Sequence, residues 1–248
     1  MSQTPSFKHE LRDFFSFLRA PNLAPRLKGQ DLGQGWHTDW TNGLGVKRIV
    51  QWALVLWLVN LTVFGPWAAG VATSTGTQQR LDLSNIPWKQ AILWAPLIEE
   101  MVFRYLLRRP SQFLWLLPVT LWCLFNGPQA LTIGLVLAVV VLLYVRPVYG
   151  AGRPSVFAAI GLGKAWPRRW YVFYARHFGW VFYTATLLFA ALHLYNFKFD
   201  QIDFWMLPML ILPQFMTGLV LGWLRVRRGI GASIILHAVF NAGPILVI

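Results

Sequence analysis

The sequence predicts an all-α fold: a polytopic transmembrane helical bundle of about seven spans, with an N-terminal amphipathic helix at the interface. Three observations predict it. Hydrophobic residues make up 56% of the 248-residue chain and charged residues only 12%, where a soluble domain carries about 25% charge. Apolar segments recur at close to the length of about 20 residues that a span requires. Basic residues gather in short clusters between alternate segments, the pattern of cytoplasmic loops. The net charge of +13 is thereby assigned to membrane topology, and no nucleic-acid partner is expected. The fourteen tryptophans fit the same reading, since Trp collects at membrane–water interfaces. Cys123 is the only cysteine, which rules out an intrachain disulfide and a cysteine-based metal site.

Residues 1–46 form a cytoplasmic or interfacial segment, too polar to contain the apolar core of a cleavable signal peptide. Within it Phe7, Leu11, Phe14 and Leu18 recur at helical spacing among Lys8, Arg12 and Arg19. That pattern fits a helix lying on the membrane surface, and equally a packed cytoplasmic cap. The transmembrane domain, 47–248, holds apolar segments at roughly 48–72, 87–108, 111–126, 130–146, 177–197, 204–224 and 230–248. The third and fourth are short and joined by Asn126-Gly127-Pro128, so a tight hairpin is an alternative to two crossings. Lys47 and Arg48, Arg108 and Arg109, the basic loop after span four, and Arg225, Arg227 and Arg228 all fall on one side. This places the N-terminus in the cytoplasm and the C-terminus on the opposite side of a cell membrane.

Within these segments a few residues do not belong in hydrocarbon. An ionised side chain at mid-membrane costs about 2.5–3.5 kcal/mol, yet Glu99, Glu100 and Arg104 occupy one segment. Residues four apart share a helix face, so Glu100 can pair with Arg104, while Glu99 is turned about 100° away. Pro96 removes a backbone hydrogen bond just before them and is expected to bend the helix. Phe189 shares a face with His193, and His237 with Asn241. Gly229, Gly231, Ala232 and Ser233 allow the last span to approach its neighbours closely. Each group has a bland reading: Glu100 and Arg104 as mutual neutralisation, His193 as a packing residue, His237 and Asn241 as a staple, Phe189 as core. Their convergence from three helices points instead to a pathway or a reactive site.

The ordered set Glu99-Glu100-x-x-x-Arg104, Phe189-x-x-x-His193 and His237-x-x-x-Asn241 resembles the CPBP family of intramembrane endopeptidases. That family comprises CAAX prenyl proteases of the Rce1 type and their Abi or bacteriocin-processing relatives. The resemblance covers the motif helices 87–109, 181–197 and 230–248. It implies a peptide hydrolase in which Glu99 is the general base and His193 holds and polarises the attacking water. His237 and Asn241 would stabilise the oxyanion, with Glu100, Arg104 and Phe189 supporting. The implied substrate is a peptide or protein, prenylated or bacteriocin-like, at the lipid bilayer. Glu99 and two histidines could bind zinc, but no HExxH spacing is present and the family is metal-independent, so no metal or other cofactor is expected.

Two features depart from the family pattern. Glu99 and His193 are 94 residues apart where a few tens are usual, the excess being an insertion at about 110–176. Depth is the second. His193 lies about 16 residues into span five if that span starts at His177, against about 10 for Glu99 and about 7 for His237, which at 1.5 Å per residue keeps the three apart. The expectation is that 168–182 lies along the interface and span five starts later. Two other function classes fit the same residues: a non-catalytic immunity or scaffold protein binding a toxin or membrane partner, and a proton-coupled carrier using Glu99 and the histidines as a relay.

Overall fold

A computed structural model describes residues 5–23, 39–40, 45–80, 87–144, 166–199 and 202–247, with the backbone alone at 142–144 and 244–247. Ten helices dominate it. Helix α1, Phe7–Arg19, is capped by the Ser6 side chain, which accepts from the His9 N–H, and ends on Arg19, as caps and the helix dipole favour. Helix α2 runs from Val46 to Ser74 without interruption. Helix α3 comprises a π turn, Gln90–Trp94, and an α segment, Ala95–Phe103. The hairpin α4–α5 comes next, Pro110–Asn126 and Ala130–Tyr144. Then come α6, Arg168–Arg176, and α7, Phe178–Leu192, which continues as a 3-10 turn His193–Asn196. The last three are α8, Leu207–Leu210, α9, Leu212–Arg227, and α10, Ile230–Val247. A two-stranded antiparallel ladder, β1 Gln78–Gln79 with β2 Phe197–Lys198, ties the end of α2 to the end of α7.

Proline shapes α2 and α3 in the same way. Each contains a π turn that ends two residues before a proline, Asn60–Phe64 before Pro66 and Gln90–Trp94 before Pro96. Proline has no N–H to give, and the wider turn shifts the hydrogen-bond register around it. In α2 the Gly65 N–H closes the turn on the Asn60 carbonyl. A Cβ at Gly65 would lie 2.5 Å from that oxygen, so only glycine fits there.

Among the described residues two helices, Val46–Ser74 and Phe178–Asn196, are long and apolar enough to cross a membrane. The pair Phe204–Leu210 and Leu212–Arg227, bent by 54°, makes a third if it acts as one span. Shorter apolar helices cover Ala130–Val141 and Ile230–Gly243. The apolar segment at 87–108 is divided by its π turn and ends in a 3-10 turn, Tyr105–Leu107.

The main core joins α1, α2, α6, α7, α9 and α10. Phe14 of α1 sits edge-on against both Trp52 and Trp223, and Phe17 against Phe182. One face of α1 is thus packed on the bundle, while Lys8, Arg12 and Phe15 are exposed. Its acidic residues are engaged as well. Glu10 is fully buried, ion-paired with Arg48 and Arg228, and accepts from Trp52 Nε1. Asp13 holds Arg227 at 2.9 Å and accepts from Trp223 Nε1 at 2.7 Å. Asp39 binds Arg225 at 2.6 Å. Glu10, Asp13 and Asp39 therefore neutralise the arginine-rich end of α9.

Helix α6, 168–176, is separate from α7 and the break falls at His177, so that residues 178–182 continue the long helix. The motif helices meet near the end of α3. Phe103 and Arg104, at its end, lie against Phe189, about 11 residues or ~16 Å into α7. The first half of α7 packs on α9 and meets α1 where Phe17 sits edge-on against Phe182.

Candidate active site

The local chemistry of α3 begins with Pro96. Within the π turn the Ala95 N–H bonds to the Gln90 carbonyl. The next such partner would be residue 96, which has no N–H, so the Ala91 carbonyl is left without one. Asn241 of α10 supplies the missing donor: its Nδ2 lies 2.9 Å from Ala91 O. A proline on one helix thus fixes an asparagine on another.

Beside this contact Glu100 is fully buried. Its Oε1 accepts from His237 Nδ1 at 3.0 Å and faces Arg104 Nη1 at 3.4 Å, and its Oε2 accepts from the Ser233 hydroxyl. The Arg104 guanidinium lies over the Phe189 ring, 3.6 Å from its centroid. The Arg104 carbonyl accepts from Arg225 Nε at 3.1 Å. Phe189 is fully buried and also meets the rings of His193, His237 and Phe103 edge-on. Gly218 of α9 leaves room for this stack, since a Cβ there would meet Phe189 at 3.1 Å and Arg104 at 3.2 Å.

Glu99 points the other way. Its Oε2 is buried without a hydrogen-bond partner, and its closest ionic neighbour is His237 Nε2 at 3.8 Å. Glu99 lines an open cavity of about 710 Å³ together with His193, Gln90, Asn196 and the α4–α5 turn, Asn126–Gln129. His193 Nδ1 lies 2.9 Å from the Phe189 carbonyl. A carbonyl only accepts, so Nδ1 carries the hydrogen and Nε2 of the neutral ring is an acceptor. His237 is held in the same sense by the Glu100 carboxylate. His193 and Asn196 also line a second cavity, of about 410 Å³, floored by Gly65, Ala68, Ala69 and Ala72 of α2.

Glu99, Glu100, Arg104, Phe189, His193 and His237 are therefore brought together, and Asn241 joins them through Ala91. Sequence reasoning missed Ser233 as a polar partner, treating it only as a small packing residue. The signal was present: Ser233, His237 and Asn241 recur at four-residue intervals on one face. It also left the α4–α5 hairpin without a role, whereas the turn of that hairpin forms one wall of the Glu99 cavity. Positive φ at Gly127 and the Thr132 hydroxyl, bonded to the Gly127 carbonyl, shape that wall. Among the described residues no three His, Cys, Asp or Glu side chains converge with the geometry of a metal site.

The chain matches the family model for Rce1-like proteins, type II CAAX prenyl endopeptidases, over residues 84–243. No curated protein and no solved structure matches it. The matched region spans more than half of the chain and contains α3, α7 and nearly all of α10, while α1 and α2 lie before it. A protease family and a bundle of apolar helices agree on a membrane protein. The chain belongs to the Rce1-like family of type II CAAX prenyl endopeptidases.

Proposed function

We propose that this protein is an intramembrane endopeptidase in which Glu99 activates a water against a peptide bond of a membrane-associated or lipidated substrate. The observation that carries the reading is the contrast within the acidic pair. Glu100 is consumed by Arg104, His237 and Ser233, whereas Glu99 has a buried oxygen without a hydrogen-bond partner and opens onto a cavity shared with His193.

The tautomer of His193 gives the water its orientation. A water between Glu99 and His193 Nε2 would place its hydrogens on two acceptors and turn a lone pair towards the substrate carbonyl. Glu99 takes one proton as the oxygen–carbon bond forms, then returns it to the amine as the carbon–nitrogen bond breaks. Asn241 uses one N–H on Ala91 and keeps a second for the oxyanion. His237 can add a donor at Nε2 when its ring is doubly protonated, because Nδ1 is committed to Glu100. Preorganised donors of this kind are worth about 10²–10³ in rate each. Arg104, stacked on Phe189, holds Glu100 and through it the plane of His237.

On this reading 47–248 is the catalytic domain, crossing the membrane about seven times with the N-terminus in the cytoplasm, and 1–46 is a cytoplasmic or interfacial segment whose helix α1 packs on the bundle. The α4–α5 turn would contact substrate. A prenylated C-terminus or a bacteriocin-like peptide are the substrate classes that the family implies. The test compares new protein termini in cells expressing the wild-type chain and Glu99→Ala at matched levels. Termini present only with wild type are expected, and would identify a substrate. Identical termini in both would overturn the reading.

A further inference from the structure

The N-terminal ends of α1 and α2 meet at an open cavity of about 420 Å³, lined by Ser6, Gly45, Lys47, Arg48 and Arg228 among others. The first N–H groups of a helix have no carbonyl partner within it and carry the positive end of its dipole. Gly45, the N-cap of α2, has no side chain with which to satisfy them.

Two helix ends alone would not make a site, but three cations share this one. Arg228 is 6% exposed; one of its terminal nitrogens binds Glu10, while its Nε is buried and has no hydrogen-bond partner. Arg48 is held by Glu10, Gln51 and the Pro5 carbonyl. Lys47 is exposed and forms no ion pair among the described residues. Glu10 balances one of the three positive charges, which leaves an excess facing the cavity.

We propose that this cavity binds a phosphate group, and that a phospholipid headgroup presents it. The charge and the N-terminus of α2, which no side chain caps, define the phosphate, as at other helix N-termini that bind anions. The outer face of α2 points to the lipid. Val46, Val50, Leu54 and Leu58 recur every four residues from the cavity's rim, with exposures of 79%, 45%, 55% and 63%. They form one apolar stripe along a helix long and apolar enough to cross a membrane. A headgroup in the cavity would lay its acyl chains on that stripe. The bound phosphate would join α1, α2 and the α9–α10 turn, where Arg228 is tied to the other two pieces through Glu10.

The test uses the full chain in nanodiscs of phosphatidylcholine with or without phosphatidylglycerol, reading retained lipid by native mass spectrometry and thermal unfolding in parallel. Wild type is expected to retain phosphatidylglycerol over phosphatidylcholine. Lys47→Glu should lower that retention about tenfold or more, since a single basic residue near the surface already matters at this scale. Arg12→Glu, an exposed cation on α1 outside the cavity, should not change it. Lys47 makes no internal contact that folding needs, so this variant decides the matter even if Arg228→Gln fails to fold. A thermal shift with inorganic phosphate in place of chloride at equal ionic strength, absent in Lys47→Glu and without lipid preference, would keep the site and assign it to soluble phosphate. Equal retention of both lipids with no phosphate shift, or an equal loss in Arg12→Glu, would overturn the proposal.

Discussion

Two regions of this bundle bury carboxylates among cations, and they differ in one respect. At the N-terminal cap, both oxygens of Glu10 are used, by Arg48, Arg228 and Trp52. In the candidate site Glu100 is used up in the same way, but its neighbour Glu99 has a buried oxygen with no hydrogen-bond partner, beside a cavity. Burying a charge without full pairing is costly. Evolution tolerates that where the group has a task, and relieves it elsewhere. On the proposed function Glu10 and Glu100 are framework and Glu99 is the reactive group.

The sharpest way to break this comparison is Glu99→Gln. It should lower proteolysis by about 10²–10⁴-fold, the range of general-base catalysis, and leave the thermal unfolding midpoint nearly unchanged. Cleavage of a substrate identified by its new termini, measured beside thermal unfolding in detergent, checks both halves. A large fall in stability would make Glu99 a framework residue like Glu10.

Glu100→Ala and Glu10→Ala should behave alike. Each strands a buried guanidinium, Arg104 in one case and Arg228 in the other, and removing one partner of a buried pair costs about 3–5 kcal/mol. Denaturation of the two variants under the same conditions should show losses of similar size. A stable Glu100→Ala protein would mean that Arg104 is held by Phe189 rather than by the carboxylate.

Gly222→Ala places a Cβ 2.7 Å from the Phe182 ring. Overpacking of this kind costs about 1–3 kcal/mol, and here it should act through the α7–α9 contact and not through the chemistry. Ser233→Ala removes the hydroxyl that bonds to Glu100 and to the Leu221 carbonyl, and should cost about 1–3 kcal/mol. Its effect on cleavage rate should be far smaller than that of Glu99→Gln. A loss of activity as large as that of Glu99→Gln would move Ser233 into the reacting set.

The sequence by itself determined the helical character, the positions of most helices, and which polar residues are set within apolar helices. The four-residue spacings paired Glu100 with Arg104 and placed Phe189 with His193, because those pairs depend only on helix geometry. Even the divergence of Glu99 from Glu100 was legible as an angle. Spacing does not, however, fix how far one helix slides past another. The cavity shared by Glu99 and His193 depends on how α3, ending at Phe103, lies along α7, where Phe103 meets Phe189. The same holds for the bond between Asn241 and Ala91, which needs a proline on one helix and an amide on another. It holds too for Ser233 under Glu100 and for the hairpin turn that walls the cavity. These are contacts between residues far apart in the chain, and only close packing in three dimensions decides which polar group finds a partner and which is left without one.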